Sequence, residues 1–131
     1  MAGSRVLVVD DDRDLCDLIA DFLGEEGYAV TRAYGGQHAI DSARSSAPDV
    51  VLLDLLLPDV PGLDVGHALR RAAHTKDVPI VIISGDRAAL ARSKLEIDAD
   101  SFIEKPFSLA AVQHAVRAAL GQHNGAPDAA A

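Results

Sequence analysis

The chain has 131 residues, of which 49% are hydrophobic, a formal charge of -8 and a single cysteine. That is apolar material for one buried core, too much for a disordered chain, and the wrong sign of charge for gripping nucleic acid or an anionic membrane surface directly. No apolar run approaches the roughly 18 residues that cross a bilayer, Met1 to Arg5 lack the apolar centre of a signal peptide, and Cys16 alone cannot form an internal disulfide, which fits a reducing, cytoplasmic setting.

Arg5 to Val9 (RVLVV) is a short β-branched run that ends on Asp10-Asp11-Asp12. Helical spacing follows at Leu15, Ile19 and Phe22, with Leu18 and Leu23 widening the stripe, Asp12 placed as N-cap and Gly27 as the closing glycine. Tyr28 to Ala33 reads as a second, less hydrophobic strand nearer a sheet edge. Gly35-Gly36 leads into a helix carrying Ala39, Ile40 and Ala43 and stopped before Pro48, while Asp49 belongs to the next turn.

Val50-Val51-Leu52-Leu53-Asp54 is a strand buried on both faces that ends on a carboxylate. The loop Leu57 to Gly62 carries two prolines and precedes a helix from about Leu63 to Ala73. Val78 to Ile83 is another fully buried strand, ending on Ser84-Gly85, and a helix with Leu90, Lys94 and Leu95 follows. Ser101 to Ile103 forms a short last strand before Glu104-Lys105-Pro106. Ser108 caps a final helix with Leu109, Val112, Val116 and Leu120 on one side, closed by Gly121.

Strand and helix alternate five times. The pattern predicts an α/β fold: a doubly wound, five-stranded parallel sheet in the flavodoxin-like order 2-1-3-4-5, with five helices on both faces. Residues 1-121 form the single domain, and Gln122 to Ala131, rich in Gly, Ala, Pro and Asp, reads as a disordered tail.

Parallel topology gathers the carboxyl ends of the strands at one edge, where open α/β sheets keep their ligands. There the sequence places Asp10, Asp11, Asp54, Ser84 and Lys105. Three carboxylates repel unless neutralised, and oxygen-only donors suit a hard cation such as Mg2+. A phosphoryl group could then be held by the metal, Lys105 and the Ser84 hydroxyl, with Asp54 as its acceptor. Singly, each residue has a plainer reading. The acidic pair could cap a helix, Ser84 could start a turn and Lys105 could be a surface charge.

VLVVDDD (Val6 to Asp12), DVVLLDLLLP (Asp49 to Pro58), PIVIISG (Pro79 to Gly85) and FIEKPF (Phe102 to Phe107) together resemble the receiver domain of two-component response regulators, from about Arg5 to Leu120. The resemblance implies Asp54 as phosphoacceptor. It implies Asp11 as a direct Mg2+ ligand, Asp10 as one acting largely through water, and the Leu56 carbonyl as a further ligand. Ser84 and Lys105 become phosphate contacts, and Ser84 with Phe102 the switch pair. The phosphodonor is then a histidine kinase or histidine phosphotransferase. The reader of the switch is a downstream protein or an output domain outside this chain, with a homodimer formed on phosphorylation as a further outcome. The chain on this reading is a signalling switch and no enzyme beyond its own phosphotransfer and dephosphorylation. Leu56, a bulky apolar group two residues past the acceptor, and Asp86, a negative charge two past Ser84, point to slow loss of phosphate.

The pattern departs from the family's at Leu57, Pro61, Gly85 and Asp98. Gly85 predicts a looser backbone, and Asp98 would be strained if its site needs a positive φ. None of these changes removes a chemical group. An aspartate-nucleophile, Mg2+-dependent phosphohydrolase is the alternative, but it would want Asp-x-Asp where Leu55-Leu56 follow Asp54. A flavodoxin-like cofactor binder would want a Ser/Thr/Gly-rich loop where three acids follow strand one. Cys16 reads as a packing or surface thiol, and the five histidines show no ligand spacing.

Overall fold

The computed structural model describes residues 3–124. Its elements are β1 (Arg5–Val9), α1 (Arg13–Glu25), β2 (Ala29–Ala33), α2 (Gly36–Ser45), β3 (Val50–Asp54), α3 (Gly62–Arg71), β4 (Ile80–Ser84), α4 (Arg87–Glu96), β5 (Ser101–Glu104) and α5 (Leu109–Asn124). Every strand pairing is parallel, in the order β2-β1-β3-β4-β5. This is the predicted doubly wound sheet, with the less hydrophobic β2 at an edge.

Side chains on a strand alternate between faces, so the two apolar sides of β1, β3 and β4 feed separate cores. Leu7, Val9, Val51, Leu53, Ile80 and Ile82 pack with residues of α2, α3 and α4. Val6, Val8, Val50, Leu52, Val81 and Ile83 pack with Cys16, Ile19 and Leu23 of α1 and Val112, Val116 and Leu120 of α5. All five residues of β3 and of β4 are buried, which explains why their sequences show no polar alternation.

Capping matches the sequence at three ends. Asp12 accepts from the Leu15 amide at 3.2 Å, Ser108 accepts from the Ala111 amide at 3.1 Å, and Gly27, just past α1, takes the left-handed φ of 102°. Other ends move. β4 starts at Ile80 rather than Val78: the Val78 amide donates to the Thr75 carbonyl at 3.1 Å, its carbonyl accepts from Arg70 Nη1 at 2.7 Å, and Pro79 has no amide to pair. α5 continues through Gly121 instead of stopping there. The predicted tail thus contributes the backbone of residues 122–124 to α5, and its remainder lies outside the described residues.

Leu18, placed on the α1 stripe by its spacing, is 53% exposed, and Leu95 of α4 is 88% exposed. Cys16 is a packing thiol: it is fully buried, and its Sγ lies 3.7 Å from the Val8 carbonyl oxygen. Burial, with Asp10 and Asp17 nearby, pushes that thiol up to about 11. Among the described residues no helix is long and apolar enough to cross a membrane.

Candidate functional site

β1 and β3 are neighbours in register, Val9 opposite Leu53, so Asp10 and Asp54 leave the sheet side by side. Both carboxylates are buried, at 3% and 4% exposure, while Asp11 is exposed. Oxygen atoms of Asp10, Asp11 and Asp54 all lie within 4.8 Å of one another. Lys105 follows β5 two strands away from β3, yet its Nζ donates to Asp54 Oδ2 at 2.9 Å and to Asp10 Oδ2 at 3.1 Å. Alternation accounts for the meeting. Asp10, Asp54 and Lys105 follow Val8, Leu52 and Ile103 on the α1–α5 side of the sheet.

The other carboxylate oxygens are also held. Asp10 Oδ1 accepts from the Asp12 amide at 2.9 Å, and Asp54 Oδ1 from the Leu56 amide at 3.0 Å. Each oxygen keeps a further lone pair. Burial, reinforced by Asp54, raises the Asp10 carboxyl to about 6 despite the Asp12 amide and Lys105. Burial works against the Lys105 ammonium, but Asp54 and Asp10 outweigh it and raise the amine above its usual range. One ammonium among three carboxylates leaves two negative charges uncompensated. Clustered, oxygen-only, net dianionic donors with one solvent-facing member fit a small divalent cation.

Ser84 ends β4 beside this cluster: Asp54 pairs with Ile83, and the Leu55 amide donates to the Ile83 carbonyl at 3.2 Å. The Ser84 side chain is fully buried and its Oγ accepts from the Asp86 amide at 3.1 Å. A hydroxyl that accepts one bond keeps its own hydrogen to donate. Phe102 is not at the rim. It lies two residues back along β5, opposite Ile82, half-buried against the α2–α4 core, with Lys94 Nζ 5.6 Å from its ring centroid. Leu56 is exposed on the loop after β3. The Lys105–Pro106 peptide is cis.

Asp86 is more than a nearby charge: its Oδ1 caps α4, accepting from Ala88 and Ala89 amides at 2.9 and 3.1 Å. Gly85 leaves open space, since an added Cβ would meet only Lys105 Cβ, at 3.7 Å. The strain considered at Asp98 does not arise, because no non-glycine residue among those described has a positive φ.

Two supporting residues escape a reading of the sequence by strand ends. Gly62 donates its amide to the Leu55 carbonyl at 2.9 Å, and a Cβ there would overlap the Asp54 carbonyl oxygen and Leu55 Cα. Asp59, in the loop between β3 and α3, accepts from the amides of Gly36 and Gln37 at 2.8 and 3.1 Å. The signal for Asp59 was a helix opening on Gly35-Gly36 with no polar cap of its own.

The family model described as response regulator receiver domain matches residues 6–117. The chain is 40% identical over 116 residues to a probable transcriptional regulatory protein, TcrX, of Mycobacterium tuberculosis, covering 88% of this chain and 49% of that protein. It therefore spans about half the length of that relative. A crystal structure of NtrX from Brucella abortus superposes with a TM-score of 0.85 at 30% identity, over 95% of this chain and 28% of that one. A putative response regulator from Chloroflexus aurantiacus superposes with a TM-score of 0.84 at 28% identity, over 91% and 98% of the two chains.

Proposed function

The chain belongs to the response regulator receiver domain family, and on that premise we propose that Asp54 accepts a phosphoryl group from a phosphohistidine of a histidine kinase or histidine phosphotransferase. The observation that carries this reading is the Lys105 ammonium bridging Asp54 and Asp10 within a three-carboxylate cluster. One Asp54 oxygen attacks phosphorus in line. A P–O bond forms as the P–N bond to the imidazole breaks, and the departing ring nitrogen keeps the electron pair and takes up a proton.

Asp54 Oδ1 is oriented by the Leu56 amide and Oδ2 by Lys105, so the carboxylate is fixed before the donor arrives. Asp10, Asp11 and Asp54 would hold Mg2+, Asp10 largely through water and with the Leu56 carbonyl as a further ligand, and the bound ion would neutralise charge on the phosphoryl oxygens. Lys105 and the Ser84 hydroxyl would donate to those oxygens.

Once Asp54 carries phosphate, Ser84 turns toward it and Phe102 moves into the vacated space. The surface of α4, β5 and α5 then changes for its reader. That reader is a downstream protein or an output domain in a longer polypeptide. The Mycobacterium relative, named a probable transcriptional regulator and about twice as long, favours the latter. A homodimer formed on phosphorylation and a cytoplasmic location belong to the same reading. The phosphohydrolase alternative gains nothing, since Leu55 and Leu56 supply no second acid after Asp54.

The test is intact mass after incubation with acetyl phosphate, with and without Mg2+, on the parent and on Asp54→Asn. One added phosphoryl group, dependent on Mg2+ and lost in the variant, is expected. Full Mg2+-dependent labelling of Asp54→Asn would overturn the assignment, and sustained turnover of a phosphomonoester would revive the hydrolase.

A further inference from the structure

Helix α2 has no cap of its own. Its N-cap residue is Gly35, which has no side chain to offer. The cap comes from 22 and 23 residues further along the chain: Asp59 Oδ1 accepts from the Gly36 amide at 2.8 Å and Oδ2 from the Gln37 amide at 3.1 Å. The approach is close enough to explain both glycines. A Cβ on Gly35 would meet the Asp59 carboxylate oxygens at 3.2 Å, and one on Gly36 would meet the Val60 backbone oxygen and Cβ at 2.7 Å. The two amides, with that of Val60, hold the Asp59 carboxyl down to about 2, so the cap is anionic near neutral pH.

The same contact also ties the loop after β3 to the start of α2. The loop from Leu55 to Pro61 leaves β3 at the phosphoacceptor and must turn back into α3. At its far end it is closed by Gly62, whose amide donates to the Leu55 carbonyl at 2.9 Å. At its near end the Leu56 amide donates to Asp54 Oδ1 at 3.0 Å. Leu56 and Pro58 between them are exposed. Asp59 is the third tie, and it fastens the exposed arc to a different element, the start of α2.

We propose that Asp59 is a positioning residue for the phosphoacceptor site: by capping α2 from the loop after β3, it fixes the segment that carries Leu56 beside the Asp10–Asp11–Asp54 cluster. The inference rests on the divalent-cation site of the functional reading, in which the Leu56 carbonyl is a ligand. Groups that orient a metal ligand without touching the metal typically govern affinity by about ten- to a hundredfold.

The experiment separates loop positioning from helix capping. Three forms are compared with the parent: Asp59→Ala, Asp59→Asn, and Asp59→Ala combined with Gly35→Ser. Gly35 has φ -156° and ψ 165°, extended backbone open to any residue, and the three nearest atoms a Cβ there would meet all belong to the Asp59 carboxylate, which Asp59→Ala removes. Serine therefore gives α2 a local cap in the double variant without restoring the tie to the loop. Mg2+ affinity of the unphosphorylated protein is read from amide chemical shifts on titration with MgCl2, and stability from the urea midpoint.

Asp59→Ala should bind Mg2+ about tenfold more weakly and unfold at lower urea. The double variant should recover the urea midpoint but keep the weak affinity. Asp59→Asn, which retains an acceptor, should recover most of the affinity. If Asp59→Ala is too unstable to titrate, the double variant and Asp59→Asn carry the comparison. Parent-like Mg2+ affinity in the double variant would overturn the proposal and leave Asp59 a helix cap alone. A parent protein that binds no Mg2+ would instead sink the phosphoacceptor reading itself.

Discussion

Replacing Asp10 by Asn should make the cation-free protein more stable while weakening its hold on a divalent ion. Asp10 is buried against Asp54, and its carboxyl is raised from 3.8 to about 6. Near pH 7 it is nonetheless charged, at a cost of roughly 3 kcal/mol relative to its neutral form. Asparagine puts an N–H donor where Oδ2 accepts from Lys105 Nζ, which takes back part of that gain and leaves about 1–2 kcal/mol to be recovered. Asparagine keeps the bond from the Asp12 amide to Oδ1, and Lys105 keeps Asp54.

The pH dependence follows from linkage. Between 3.8 and about 6 the folded chain binds the Asp10 proton more tightly than the unfolded chain does. The stability contributed by that proton is fully present below this window and is lost as pH rises through about 6. Urea unfolding in EDTA near pH 7.5 should place the Asp10→Asn midpoint about 0.5–1 M above the parent's. The gap should close toward pH 4, and added Mg2+ should stabilise the parent far more than the variant. A variant no more stable than the parent near pH 7.5, or a gap that persists at pH 4, would refute the picture of a destabilising buried charge retained for cation binding.

Leu56→Asn should lose phosphate roughly tenfold faster, because it replaces an apolar cover with a group able to hydrogen-bond the attacking water; the decay of the phosphorylated mass after removal of donor measures this. Gly62→Ala should cost about 3 kcal/mol in urea unfolding, since its Cβ would overlap the Asp54 and Leu55 backbone, whereas Gly66→Ala should cost about 1 kcal/mol or less, since its obstacle is the rotatable Ile97 Cδ1. Arg70→Met should cost about 2–3 kcal/mol, because it strips donors from the carbonyls of Lys76, Val78 and Asp98, with faster amide exchange at the start of β4.

The strand ends were legible because burial on both faces writes an uninterrupted apolar run, and a polar residue closing such a run stands out. Asp54 after Val50–Leu53 and Ser84 after Ile80–Ile83 are of this kind. The parallel order then brings Asp10 and Lys105 to the same rim. What pattern could not supply was contact across the chain. The Asp59 cap on α2 joins residues 22 and 23 positions apart, and neither partner has the spacing of a local capping box. Gly121 looks like a stop because glycine usually is one, yet α5 runs through it with no left-handed turn. Leu18 and Leu95 fit helical stripes by number but stand off them in space, because a stripe's width is set by what it packs on. Val78 opens the apolar run by pattern, but its amide turns back to Thr75 and its carbonyl accepts from Arg70.

The chain has no tryptophan, so it offers little intrinsic fluorescence with which to follow unfolding. Cys16 supplies a substitute. Sealed between α1 and β1, with its thiol pushed up to about 11, it is shielded from an alkylating reagent until that packing opens. The rate of its modification in dilute solution is therefore a built-in gauge of how often the helix lifts from the sheet, and whatever tightens the acidic rim one strand-turn away should slow that clock.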